Sequence, residues 1–264
     1  MVMITFNNLN IGFNTHRVLE DISGNIQAGQ LVALIGENGA GKSTLLHTLA
    51  GMHPFEGDIL FNTKPLHSFS KEQLASKRAV MMQSNHVGFD FSVFELIAMG
   101  RYPYTESLKT QANKVQKYAS LMDLTHYLTR RMSALSGGEQ QRVHMARTLA
   151  QLDAFTAQTE PKLMLLDEPT SALDMRHQHT LLSCVRTFVE QGNSAIIAIH
   201  DLNLASLYAT NAILLHNQKV LQSGSINTVL TAQNLQQMYA MKLHVNPHPY
   251  NDAPMVFSQR QEFS

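Results

Sequence analysis

The stretch Gly36-Glu37-Asn38-Gly39-Ala40-Gly41-Lys42-Ser43-Thr44 carries the most specific chemistry in the chain. Its pattern, G-x-x-x-x-G-K-[ST], suits a loop whose backbone closes around phosphate oxygens. Side chains at Gly39 or Gly41 would block backbone N–H groups from approaching an anion. An apolar run, residues 31–35, leads into the loop, and residues 45–50 leave it with helical character. A helix starting near Lys42 aims its positive dipole end at the same anion. Lys42 is then placed to reach the β- and γ-phosphates of a nucleotide, and the Ser43 hydroxyl to ligate Mg2+.

Three further apolar runs end in polar groups: residues 79–82 at Gln83, 163–166 at Asp167-Glu168, and 195–199 at His200. Continuous apolar runs suit strands covered on both faces, as in a parallel sheet between helices. Ligands of such sheets bind beyond the carboxyl ends of the strands. If the four strands are parallel neighbours, Gly36, Gln83, Asp167 and His200 converge on bound phosphate. Asp167 then serves Mg2+, directly or through water. Glu168 can orient and deprotonate an attacking water, Gln83 can bond the metal or that water, and His200 can contact the γ-phosphate. Singly, each has a bland reading as a solvated turn or a structural histidine. A core strand needs none of them at its end, so their joint occurrence favours a nucleotide site.

Two other features are open on the residues alone. In Leu135-Ser136-Gly137-Gly138-Glu139-Gln140, Ser136 and Glu139 have capping-box spacing. They mark a helix start that is either a bare cap or, with its glycine N–H groups, a second anion site. Phe13, ahead of the phosphate loop, could stack on a nucleotide base or be plain core.

The elements that must hold these groups follow from periodicity. Residues 1–30 alternate polar and apolar between turn residues and read as short antiparallel strands, with another strand at 57–62. Residues 84–104 read as a loop with one short helix near 94–99, and 110–128 as an amphipathic helix in a helical insertion. Residues 151–162 read as a loop and 176–191 as a helix. A hairpin turns at Asn217-Gln218-Lys219, a helix spans about 226–241, and the remainder is tail-like with one strand at 255–257. The domain division expected is a single domain. Residues 1–83 and 163–241 form its nucleotide-binding core, 84–162 the helical part, and 242–264 a tail.

Composition narrows the function classes. The chain of 264 residues carries 20 Lys and Arg against 20 Asp and Glu, which argues against a nucleic-acid partner. The single Cys184 rules out an intrachain disulfide and suits a reducing compartment. The N-terminus has no signal-peptide pattern, and no run approaches a membrane span. The expected protein is soluble by itself, reaching a membrane only through a partner.

In this order these residues resemble the ATP-binding cassette family, over nearly the whole chain. The Walker A loop is 36–44, the Q-loop glutamine Gln83, the signature 135–140, and Walker B ends at Asp167 with Glu168. The D-loop is Ser171-Ala172-Leu173-Asp174 and the switch histidine His200. The resemblance implies an α/β, RecA-like P-loop NTPase core with a parallel sheet, an N-terminal antiparallel β subdomain and a helical insertion. It implies catalytic roles for Glu168, His200 and Gln83, and ATP contacts by Phe13, Gly36, Asn38, Gly39, Gly41, Lys42, Ser43 and Thr44. It implies further ATP contacts by Ser136, Gly137, Gly138, Glu139 and Asp174, with Ser136 and Gly138 of one chain binding the γ-phosphate held by the other chain of a homodimer. Mg2+ falls to Ser43, Gln83 and Asp167. Phe13 stands where the family usually has Tyr, so stacking survives without the hydroxyl.

The segment Glu95-Leu96-Ile97-Ala98-Met99-Gly100-Arg101-Tyr102-Pro103-Tyr104 is similar to one in ATPases serving siderophore, haem and cobalamin permeases. The chain as a whole looks most like haemin-import subunits of Gram-negative bacteria. The partners implied are two permease subunits and, indirectly, a periplasmic substrate-binding protein. The place implied is the cytoplasmic face of the inner membrane. Residues 89–104, offering Phe91, Val93 and Phe94, are the expected permease contact. The 13 histidines are not read as haem ligands.

Overall fold

In the computed structural model, which describes residues 1–13, 16–83, 89–156 and 160–259, the chain opens with β1 (Val2–Phe13) and β2 (His16–Gln27). These are two long antiparallel strands rather than several short ones. Register slips between Phe6 and Leu9 and between Leu9 and Ile11 interrupt the alternation, which is why the sequence pattern fragments. β3 (Leu31–Gly36) enters the phosphate loop and α1 (Lys42–Leu49) leaves it. β4 (Glu56–Phe61) and β5 (Lys64–Pro65) join the first pair in an antiparallel sheet of order β2-β1-β4-β5.

α2 (Lys71–Lys77) comes next and was not apparent from periodicity, although Ser70 and Gln73 cap it with a full box. β6 (Arg78–Met81) then precedes α3 (Val93–Met99), α4 (Leu108–Leu121) and α5 (Gly137–Leu152). Residues 84–88 and 157–159 of the expected loops lie outside the described residues. β7 (Leu163–Asp167), α6 (Met175–Glu190), β8 (Ser194–Ala198) and α7 (Leu202–Tyr208) follow. β9 (Asn211–His216) and β10 (Lys219–Ser225) form the expected hairpin. Its two turn residues, Asn217 at φ 47° and Gln218 at φ 67°, both take the left-handed conformation that a tight hairpin demands.

The expected helix at 226–241 is two pieces, α8 (Ile226–Val229) and α9 (Ala232–Tyr239). Thr231 accepts from the N–H of Asn234 and starts the second. The expected tail is also structured: β11 (Leu243–Pro247) pairs with β12 (Pro254–Ser258).

The second sheet has order β10-β9-β3-β8-β7-β6, and all but β10 run parallel. β3, β7 and β8 are buried at every position. Their residues divide between two cores with period two. Ala33, Ile35, Leu166 and Ile197 face the side covered by α3–α6, and Val32, Leu34, Leu165 and Ile196 the side of α1 and the antiparallel sheet. Each large aliphatic side chain so buried contributes about 1.5–3 kcal/mol over exposure. Pairing of Leu34 and of Asp167 with Ala198, and of Met81 with Leu166, brings the four carboxyl ends level.

Candidate active site

The phosphate loop hangs from β3 at that level edge. Gly36 is small for the sake of the sheet, since a Cβ there would lie 2.6 Å from the Leu215 carbonyl oxygen on β9. Gly39 and Gly41 take φ 80° and 92°, values that L side chains rarely adopt. A Cβ on Gly41 would also strike the Leu19 side chain at 2.7 Å. α1 starts with Gly41 as its cap, without a side-chain cap bond and without an acid in its first turn. Its first N–H groups therefore face the loop without competition from the chain's own side chains.

Lys42 is nearly fully buried, and its ammonium donates to the Gly36 and Glu37 carbonyls at 2.8 and 2.9 Å. Burial pulls its pKa below the ordinary lysine value, while the charges of Glu168 and Asp167 oppose that shift. Ser43 donates to Asp167 Oδ1 at 3.0 Å. Burial raises the Asp167 carboxyl pKa, with the Ser43 hydrogen bond the leading opposing effect. A hydroxyl and a poorly solvated carboxylate in contact are hard oxygen donors of the kind Mg2+ takes alongside its waters, so these residues fit the ion.

Glu168 sits just past β7 with φ 48°, its N–H donating to the Ala198 carbonyl at 3.1 Å. One carboxylate oxygen accepts from Gln83 Nε2 at 2.6 Å, and the other contacts His200 Nε2. The ends of β6, β7 and β8 thus meet at one carboxylate. Asn38, Gly39, Gly41, Lys42, Ser43 and Thr44 form one wall of a cleft of about 430 Å³, and Gln83, Glu168 and His200 another. Val18 of β2 completes it, a residue read from the sequence as strand and not as part of the site.

Other expected residues lie apart from this cleft. Phe13 ends β1 half-exposed, its ring edge-on to His53 at 5.1 Å. Ser136 and Glu139 form the complete capping box at the start of α5, with Gly137 and Gly138 in its first turn. Asp174 caps α6, accepting from the His177 N–H at 2.9 Å. None of these lines the cleft of its own chain. Val93, expected on a partner-facing surface, is the first residue of α3 and fully buried; Phe89 and Tyr102 are the exposed aromatics of that segment, 78% and 80% accessible.

Two more residues near the site were not expected from the sequence. Gln141 donates to the Glu168 carbonyl at 2.8 Å and accepts from the Ala172 N–H at 3.0 Å, spanning the turn that carries the carboxylate. Nothing in the run Glu139-Gln140-Gln141 tells which glutamine faces that turn. His47 lies one helical turn after Ser43, the spacing that could have flagged it. Its Nε2 is 3.8 Å from Asp167 Oδ2 and has no hydrogen-bond partner among the described residues, and burial lowers its pKa, favouring the neutral imidazole.

A phosphate loop, a carboxylate between a glutamine and a histidine, and a boxed glycine-rich helix define a nucleotide-hydrolysing cassette. Residues 19–171 match the ABC transporter family. The chain belongs to that family, as an ATP-hydrolysing member. It is 43% identical to the hemin import ATP-binding protein HmuV of Idiomarina loihiensis, over 98% of this chain and 99% of that one. It is 40% identical to the protein of that name from Escherichia coli O157:H7, covering 96% and 98%. Among solved structures it is similar to an ABC transporter described as of metal-chelate type, in an inward-facing conformation. The identity is 25%, the TM-score 0.78, and the coverage 97% of this chain and 96% of that one. No helix of the described residues is long and apolar enough to cross a membrane.

Proposed function

We propose that the chain is the ATPase subunit of a haem importer, working as a homodimer on the cytoplasmic side of the inner membrane beneath two permease subunits. A periplasmic substrate-binding protein is an indirect partner. The observation that carries the hydrolytic half is Glu168, held between Gln83 and His200 beside the phosphate loop. The haem assignment is supported by likeness over nearly full length to proteins named for hemin import.

On this reading ATP draws the Lys42 ammonium from the Gly36 and Glu37 carbonyls to its β- and γ-phosphates. The N–H groups of α1 and its loop hold the remaining phosphate oxygens. Ser43 and Asp167, with Gln83, hold Mg2+, which neutralises phosphate charge when bound. Glu168 takes a proton from the attacking water, and His200 steadies the γ-phosphate. Phe13 packs on the base. A second copy supplies Ser136, Gly137, Gly138, Glu139 and Asp174 to close the site.

The permease contact falls on Phe89 and Tyr102 and on a neighbouring groove of about 510 Å³ between the sheet edge and the helical region, where Arg78, Met99 and Arg147 lie. Vesicles reconstituted with the permease and loaded with ATP test the reading. Uptake of haem, and not of a ferric siderophore or cobalamin, is expected. Preferred uptake of either alternative would reassign the cargo and leave the ATPase reading intact.

A further inference from the structure

The C-terminal hairpin reaches the active site through one short helix. In β12 the backbone of Val256 points away from β11 toward α7. Its N–H donates to Asn203 Oδ1 at 2.8 Å, and its carbonyl accepts from Asn203 Nδ2 at 3.2 Å. One carboxamide thus pairs with both backbone groups of a strand residue, as a neighbouring strand would. Ser206, buried on the same side of α7, donates its hydroxyl to the Pro254 carbonyl. Residues 203 and 206 share a helix face and 254 and 256 share a strand edge, so the two contacts make a two-point clamp.

α7 begins at Asp201, whose carboxylate accepts from the N–H groups of Asn203 and Leu204, both at 2.9 Å. His200 is the preceding residue. Its side chain is 44% exposed, so packing on the ring does little to fix it. Its reach to Glu168 depends on the backbone at either side, β8 behind and α7 ahead.

We propose that the C-terminal hairpin is a positioning device for hydrolysis: by clamping α7 through Asn203 and Ser206 it sets where His200 meets Glu168. Asn203 is on this account a positioning residue that never touches nucleotide. The inference rests on the hydrolytic reading of His200 and Glu168. The competing account is that the hairpin only covers the core with Val245 and Val256.

Steady-state hydrolysis by the full-length chain, measured across ATP concentrations, separates the two. Asn203→Ala removes both bonds to Val256. Val256→Pro removes the N–H that Asn203 accepts, weakening the clamp from the hairpin side without altering a residue of α7, on a strand edge where proline is tolerated. Each should lower kcat about tenfold, as small misplacement of a positioned group does, with KM for ATP unchanged. In a His200→Ala background neither should lower the residual rate further. The same fold loss in that background, a change in KM alone, or an unchanged kcat would overturn the clamp. Wild-type turnover by His200→Ala itself would instead bring down the reading of His200, and the clamp with it. Should Asn203→Ala not fold, Val256→Pro decides by the same criteria.

Discussion

Two helices of this chain begin beside glycines, and they begin differently. α1 starts at Gly41 in the left-handed conformation with no side-chain cap, on the wall of the cleft. α5 starts at Ser136 with a complete capping box and lies outside that cleft. The first leaves its N–H groups to a ligand from the chain's own loop. The second satisfies the N–H groups of Ser136 and Glu139 within its own box, and so holds its shape without a ligand. The box also draws the Glu139 pKa down, through the Ser136 N–H first and its hydroxyl second. Similar sequence texture therefore encodes one helix start with no side-chain cap and one held by a complete box.

The sharpest test of that contrast removes the chemistry at the first start. Lys42→Ala should lose ATP binding in an equilibrium nucleotide assay. Glu168→Gln should keep binding while its turnover falls on the order of a hundredfold or more, the contribution of a general base. Near-normal hydrolysis by Glu168→Gln would remove the base from Glu168.

Mixing tests whether the second start serves a different chain. In a Glu168→Gln background, a dimer pairing one Lys42→Ala chain with one Ser136→Arg chain should trap a single nucleotide, because one site keeps both intact halves. Placing both substitutions on one chain, paired with an otherwise unaltered one, should trap little. Equal trapping in the two designs would mean that α5 serves its own chain's nucleotide.

A smaller effect separates capping from binding. Ser136→Ala should destabilise the isolated chain by about 1 kcal/mol in denaturant unfolding, the usual loss for such a cap. α1 has no side-chain cap to lose, so no substitution in its first turn should cost stability by that route. An unchanged midpoint for Ser136→Ala would show that the box does not hold α5.

The smallest effect lies at the other end of α5, where Lys162 donates to the Leu152 carbonyl at 2.7 Å. Burial lowers the Lys162 pKa to about 8 from an ordinary 10.5. Between these values the unfolded chain holds more protons than the folded one, so this group makes stability rise with pH across that window. Thermal midpoints recorded from pH 8 to 10.5 should show that rise, and Lys162→Met should flatten it. A Lys162→Met profile parallel to wild type would show that the charge is not strained by burial.

The parallel sheet and its polar strand ends were legible because burial on both faces leaves an uninterrupted apolar run, and a single Gln, Asp or His then marks its end. The phosphate loop was legible because few backbones other than this one need those glycines together with Lys42. The antiparallel strands were harder: slips near Leu9 break the alternation without breaking the strand. β11 and β12 were unreadable as a pair because Pro247, Pro254 and the polar turn between them have the composition of a tail. What ties them to the rest of the chain includes Asn203, 53 residues before Val256, and Ser206. Val93 misled for a different reason, since an apolar residue does not announce whether a partner or its own core covers it.

Gln141 has a consequence for how such a protein can change. Its single carboxamide bonds the Glu168 carbonyl and the Ala172 amide, and a Cβ on Gly138 would lie 2.7 Å from the Ala172 carbonyl oxygen. The start of α5 and the turn bearing Glu168 are fastened side by side. If α5 completes the partner's site, a mutation that adjusts one chain's own hydrolysis also alters the half-site it lends. Drift in these two segments is then coupled: neither can wander in sequence without the other following, and the two sites of a dimer inherit their tuning together.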